Sequence, residues 1–241
     1  MNSKDDVTAI IIALTDGERP FLAECVESTV SDPGVARTIV RVSDNLAWVD
    51  EVLAPFANDP RVHILRLPIE NPGTARNDAV KLATTEWVAF LDGDDVWCRG
   101  KTAAQRDFAD KNNAVFVGAD HYLTDEKGRI RAVALAKYLP MTSSWLVRTD
   151  VMRQYPFRDE LLEDHHWWFD TKQTVPKHRC PELLLRYRVR GLSISTLEPS
   201  KRRKLTVVTL GKKPVIGLGV FALTWGIWLV NRSKSYRPLL K

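Results

Sequence analysis

The run Trp87-Val88-Ala89-Phe90-Leu91-Asp92-Gly93-Asp94-Asp95-Val96-Trp97 joins an apolar stretch of strand character to three carboxylates within four positions. Like charges gathered that closely repel one another and are costly without compensation. The usual compensation is a divalent cation, and hard cations such as magnesium or manganese prefer oxygen ligands. A cation held where a strand ends is well placed to grip a diphosphate. The stretch therefore points to chemistry on a nucleotide-linked substrate.

Upstream, strand and helix patterns alternate. Val7–Leu14 is a β-branched apolar run suited to a strand buried on both faces, and Thr38–Val42 and Val62–Leu67 are two more short strands. Between them, Phe21–Val30 and Trp48–Phe56 carry apolar residues at helical spacing. Asn71-Pro72-Gly73 is a turn, Thr74–Ala83 a helix, and Trp87–Leu91 the fourth strand. This β-α alternation predicts a mostly parallel sheet flanked by helices. Such sheets bind ligands beyond the carboxyl ends of their strands, where Thr15/Asp16, Asp44 and Asp92–Asp95 all fall. Downstream, Lys101–Asn112 predicts a helix, and Ala114–Tyr122 and Ile130–Leu135 a hairpin around Asp125–Gly128. Ser143–Val147 and Leu183–Val189 read as strands, and Thr149–Gln154 and Glu160–Thr174 as helices.

Charge divides the chain. Residues 201–241 hold ten of the 35 Lys and Arg and no acid, leaving 25 basic against 30 acidic groups in residues 1–200. A basic tail suits anionic lipid, nucleic acid or an acidic partner. Within it, residues 215–230 form an uncharged block of sixteen containing Trp225 and Trp228. As a helix it reaches ~24 Å, short of the ~30 Å hydrocarbon core. We read it as an interfacial or re-entrant membrane helix, against a true span or a helix docked on the body. The block favours lipid over a phosphate backbone, so no nucleic acid is expected. Three scattered cysteines and an N-terminus without signal-peptide shape predict a cytoplasmic protein, peripheral on the inner face of the membrane.

Several segments together resemble the family 2 glycosyltransferases of GT-A fold, over roughly residues 7–195. They are Thr8–Asp16, Ile39–Asp44, Asn71-Pro-Gly73-Thr-Ala-Arg76-Asn77, Phe90-Leu-Asp92-Gly-Asp94-Asp95, Leu162-Glu163-Asp164 and Tyr187–Ser193. A lone Asp-x-Asp is weak; its combination with Asn-x-Gly-x-x-Arg-Asn some fifteen residues earlier is specific. With the composition of the tail, this divides the chain into a GT-A domain over 1–200 and a basic, hydrophobic, membrane-associated tail at 201–241. The resemblance implies an inverting transfer from a nucleoside-diphosphate sugar to an acceptor hydroxyl, with Mn2+ or Mg2+ as cofactor. It makes Asp164 the general base, Asp94 and Asp95 the metal ligands, and Thr15, Asp16, Asp44, Asn71, Arg76, Asp92, Arg188 and Arg190 the donor-binding set. Acceptor contacts fall to Glu163, Trp167 and Trp168, since apolar sugar faces pack on indoles. The acceptor is a carbohydrate, a lipid-linked glycan or a protein.

Each assignment has a plainer alternative. The aspartates of 92–95 suit a helix N-terminus, and Asp44 suits a helix cap. Arg76 either pairs with acidic groups of the site, approaches a phosphate or lies on a solvated helix face. Asn77 is equally an ordinary helix polar residue. Arg188 and Arg190, two apart on a strand, share one face as a diphosphate clamp or as surface charge. His165 and His166 are adjacent, which points their rings apart and argues against joint metal ligation. Among other functions, a nucleotidyltransferase would use the same metal logic and release pyrophosphate, and an inactive nucleotide-sugar-binding module would keep the fold.

Overall fold

A computed structural model of the chain describes residues 7–68, 70–136 and 139–190. The tail at 201–241, with the membrane helix expected at 215–230, lies outside the described residues. Among the described residues, no helix is long and apolar enough to cross a membrane. The backbone divides into two units, Met1–Leu123 with Val133–Arg188, and Thr124–Ala132 with Val189–Lys241.

The elements run β1 (Val7–Ala13), α1 (Leu22–Val30), β2 (Val35–Ser43), α2 (Val49–Leu53), β3 (Val62–Leu67), α3 (Pro72–Leu82), β4 (Trp87–Asp92), β5 (Val96–Trp97) and α4 (Lys101–Asn112). They continue β6 (Phe116–Thr124), β7 (Ile130–Ala134), β8 (Leu146–Arg148), α5 (Thr149–Gln154), α6 (Glu163–Asp170) and β9 (His178–Arg188). Eight strands follow the order β3-β2-β1-β4-β8-β6-β9-β5. Pairing is parallel across β3-β2-β1-β4. It turns antiparallel at β4–β8, β8–β6 and β9–β5. The parallel half is the one that the β-α alternation predicts.

β1 sits at the centre because both of its faces are apolar. Val7, Ala9, Ile11 and Ala13 pack in one layer with Leu22, Cys25 and Val26 of α1. Ile10 points the other way, into a layer with Ala79 and Val80 of α3, Phe90 of β4 and Met152 of α5. Alternate side chains of a strand face opposite sides, so one uninterrupted apolar run serves two layers.

Where element boundaries differ from expectation, local causes are visible. The helix expected over Trp48–Phe56 stops at Leu53 and tightens into a 3-10 turn at Ala54–Phe56, where Pro55 sits. α3 begins earlier than expected, at Pro72, because Asn71 caps it and proline is favoured at a first helical position. The strand expected from Ser143 begins only at Leu146. Thr142–Ser144 instead form a 3-10 turn, as a run of hydroxyl side chains that compete for backbone partners favours. The expected turn at Asp125–Gly128 forms, with Gly128 N–H donating to Asp125 O at 2.9 Å and Gly128 at φ 74°.

Lys101 opens α4 and is fully buried, its Nζ 4.1 Å from the Trp97 ring centroid. The ammonium has no hydrogen-bond partner among the described residues. Burial lowers its pKa to about 7, with Asp32 opposing that shift. An unfolded lysine titrates near 10.4. The unfolded chain therefore holds the extra proton between roughly pH 7 and 10, so stability rises across that interval and is lowest below it. Lys101→Met is expected to melt higher than wild type at pH 7, by about 2–4 °C per kcal/mol relieved. The difference shrinks toward pH 10 in melting scans. An equal offset at both pH values would sink this account.

Candidate active site

β4 ends at Asp92, and the following turn is held against β1. Gly93 N–H donates to Ile12 O at 2.9 Å. A Cβ at Gly93 would lie 2.9 Å from that same carbonyl and 3.1 Å from Ala13 Cβ, so the backbone approach demands glycine. Asp92 N–H donates to Ser143 Oγ at 3.1 Å. The Cys25 thiol donates to Asp92 O at 3.4 Å. Cys25 stays a thiol, because burial and then the carboxylates of Asp95, Asp94 and Asp92 raise its pKa. The three aspartates do not cap a helix: the turn leads into β5, and α4 starts only at Lys101.

Asp95 is buried, and its Oδ1 accepts Arg188 N–H at 2.8 Å. Burial, then Asp94 and Asp92, hold its carboxyl well above the usual range, opposed by the Arg188 N–H and then by the Ser143 hydroxyl. Its Oδ2 is enclosed without a hydrogen bond of good geometry. Asp94 beside it is half-buried. This crowding is the kind a cation relieves. Among the described residues no three acidic, histidine or cysteine side chains converge as a ready-made cage. Magnesium-type sites need only one or two protein carboxylates when substrate phosphates supply the rest. The donor chemistry of Asp94 and Asp95 fits such a cation.

The Asn71–Asn77 motif faces the segment that carries Glu163 and Asp164. Arg76 is buried, with Nη2 donating to Asp92 Oδ1 at 2.6 Å and Nη1 to Glu163 Oε1. Burial works against its charge, but the carboxylates of Asp92 and Glu163 outweigh that and raise its pKa. Asn77 exchanges two hydrogen bonds with the backbone of Phe157, at 2.8 and 3.0 Å. A Cβ at Gly73 would stand 2.7 Å from both Arg158 O and Glu163 Cβ. Leu162 precedes α6 at φ 65°, a left-handed conformation that costs a branched side chain energy. Asp164 Oδ1 accepts His165 N–H at 2.8 Å and its Oδ2 accepts the Thr142 hydroxyl at 3.4 Å.

At the end of β1, Thr15 and Glu18 form a capping box, and Asp16 accepts Trp48 Nε1–H at 2.7 Å. Asp44 ends β2 exposed, its N–H on Leu67 O at 2.9 Å. It caps no helix, since α2 starts at Val49 behind Trp48. Thr15, Asp16 and Asp44 thus stand at strand ends as expected.

Several of the expected site residues have other partners in the structure. Asn71 caps α3: its Oδ1 accepts Thr74 N–H at 3.0 Å and its Nδ2 donates to Asp159. β9 ends at Arg188, so Arg188 and Arg190 are not two positions of one strand as expected. Arg188 is buried, with Nη2 on Glu24 at 2.8 Å and its guanidinium over Phe21; Nε and Nη1 have no partner among the described residues. Trp167 cannot present a face to sugar. It is 2% exposed, stacks on Phe116 at 5.6 Å and donates Nε1–H to Tyr155 O at 2.6 Å. Trp168 is only partly buried and packs against Phe116 and Trp145. An indole with an apolar body and one donor is satisfied inside a core when a carbonyl is near. Glu163, expected at the acceptor, is buried against Arg76 instead. Ser143, Thr142 and Asp159 were not expected at the site. The polar run Thr142-Ser143-Ser144 was the only sequence signal for two of them.

Strand-end carboxylates, a second acidic pair on a facing helix and this sheet order define the GT-A class of glycosyltransferases. The family model described as glycosyl transferase family 2 matches residues 8–169, about two thirds of the chain, and the chain belongs to that family. Among curated relatives, an uncharacterized glycosyltransferase of Rickettsia conorii is 32% identical over 34% of this chain and 13% of its own length. The succinoglycan biosynthesis protein ExoO of Rhizobium meliloti is 33% identical over 37% of this chain and 26% of its own. WfaP of Escherichia coli, a UDP-Glc:alpha-D-GlcNAc-diphosphoundecaprenol beta-1,3-glucosyltransferase, is 29% identical over 50% of this chain and 53% of its own. The chain thus matches only 13–53% of the length of these three relatives. In fold it resembles S. aureus TarS 1-349 in complex with UDP, with TM-score 0.61 and 15% identity, covering 84% of this chain and 65% of that one. It also resembles the Pyrobaculum calidifontis mannosyltransferase PcManGT in complex with GDP-Man and Mn2+, with TM-score 0.63 and 13% identity over 80% and 60% of the two chains.

Proposed function

We propose that this glycosyltransferase moves a sugar from a nucleoside-diphosphate sugar directly to an acceptor hydroxyl with inversion, using Mn2+ or Mg2+. The observation that carries this is the meeting of the Asp92–Asp95 turn with the Glu163–Asp164 turn through one guanidinium, that of Arg76. Inversion needs one general base and one means of stabilising the departing diphosphate. Asp164 takes the acceptor's proton; Glu163 is engaged by Arg76 and is unsuited to it. Asp94 and Asp95 hold the cation, which when bound neutralises diphosphate charge as a Lewis acid. Thr15, Asp16 and Asp44 line the nucleotide side.

Donor and acceptor classes draw on the relatives. Solved neighbours carry UDP, UDP-GlcNAc or GDP-Man, and WfaP acts on a diphosphoundecaprenol-linked sugar. A lipid-linked or cell-envelope glycan suits the basic, tryptophan-containing tail, and with it a cytoplasmic enzyme peripheral on the inner membrane face. The test is a nucleotide-sugar panel scored by thermal shift with and without Mn2+. One donor is expected to raise the melting temperature only with the cation, since a ligand of the native state stabilises it. No shift with any activated sugar would end this reading.

A further inference from the structure

All polar side chains of the Asn71–Asn77 motif reach one segment, residues 157–163. Asn71 and the Thr74 hydroxyl bind Asp159, Arg76 binds Glu163, and Asn77 pairs with the Phe157 backbone. Gly73 clears space for Arg158 and Glu163. That segment delivers Asp164. We propose that this motif, with Arg76 at its centre, is a positioning device for the base-bearing turn and does not hold the nucleotide sugar. The proposal rests on Asp164 being the base of the reaction proposed above.

Two observations separate positioning from donor binding. Both terminal nitrogens of Arg76 are already on carboxylates, and its side chain is 4% exposed. A phosphate would have to displace Asp92 or Glu163. The pair is also one whose halves need each other, because removing either leaves a buried charge. Glu163 faces Arg76 from α3, Asp164 beside it, and Asp92 of β4 across the guanidinium; on its own helix His166 contacts Glu160 at 3.3 Å. Burial raises the Glu163 pKa, Arg76 pulls it down, and Asp164 pushes it up again. Without Arg76 the carboxyl rises further and the turn loses its anchor.

Steady-state kinetics on Arg76→Met and Arg76→Lys decide the role. We expect kcat to fall roughly 100-fold, as a misplaced catalytic group costs, with donor KM within about twofold of wild type. Lysine recovers part of the loss, because it reaches one carboxylate but not two. A donor KM raised about tenfold with kcat retained would overturn the proposal. Melting against pH judges the contact without any activity. A carboxyl raised in the folded state stabilises it at acid pH, and that contribution is lost as pH climbs through the folded pKa. Arg76→Met should therefore lose melting temperature relative to wild type as pH rises above the ordinary glutamate range, and Glu163→Gln added to it should remove that slope. Equal slopes in the single and double variants would refute the clamp. A wild type with no transfer would refute the proposed reaction alone.

Discussion

Asp164→Asn is expected to lower kcat by about 10²–10⁴-fold, the usual worth of a positioned general base. The donor KM stays near the wild-type value. Asparagine matches aspartate in shape; its Oδ1 still accepts His165 N–H, and its Nδ2 donates to the Thr142 hydroxyl where Asp164 Oδ2 accepted from it, so both contacts that place this side chain persist with one reversed. What it cannot do is take a proton. The loss therefore falls on turnover, the signature of an interaction made in the transition state and not in the donor complex. Initial rates of nucleoside diphosphate release, at varied donor and saturating acceptor, separate the two constants. Turnover near wild type would remove Asp164 from the base role.

Asp94→Ala is expected to abolish the response to Mn2+ or Mg2+ and to cut transfer at least about a hundredfold. A cation that offsets leaving-group charge contributes several kcal/mol, and each ~1.4 kcal/mol is tenfold in rate. The fold should survive, because Asp94 is half-buried while the turn is held by Gly93 on Ile12 and by Asp95 under Arg188. Rates with metal titrated into chelator-treated wild type and variant provide the measurement. A variant that keeps full, metal-stimulated activity would place the cation elsewhere. Asp95 is the less informative position, since its substitution also breaks the bond to Arg188 N–H.

What the sequence disclosed was mostly local. β1 and β4 announced themselves as apolar runs, and α4 matched its predicted bounds. The strand-end aspartates were legible because three charges together have few structural uses. The unreadable features join residues far apart in the chain. Arg76 and Glu163 are 87 positions apart, and Asp92 and Ser143 are 51 apart. Nothing in either segment names its partner. Trp167, with Trp168 beside it, misled for a related reason. Beside a carboxylate pair they resemble a sugar platform, and only the tertiary position of Phe116 and Tyr155 makes Trp167 a core residue. β5, two residues long, is too short for any period to register.

Gly73 and Gly93 give the cleft an uneven tolerance to genetic drift. An acidic side chain lost from its rim would silence the chemistry yet spare the architecture. A methyl group gained at either glycine would collide with main chain and spoil the architecture first. A duplicated copy freed from selection on catalysis would thus shed aspartates early and keep its glycines late.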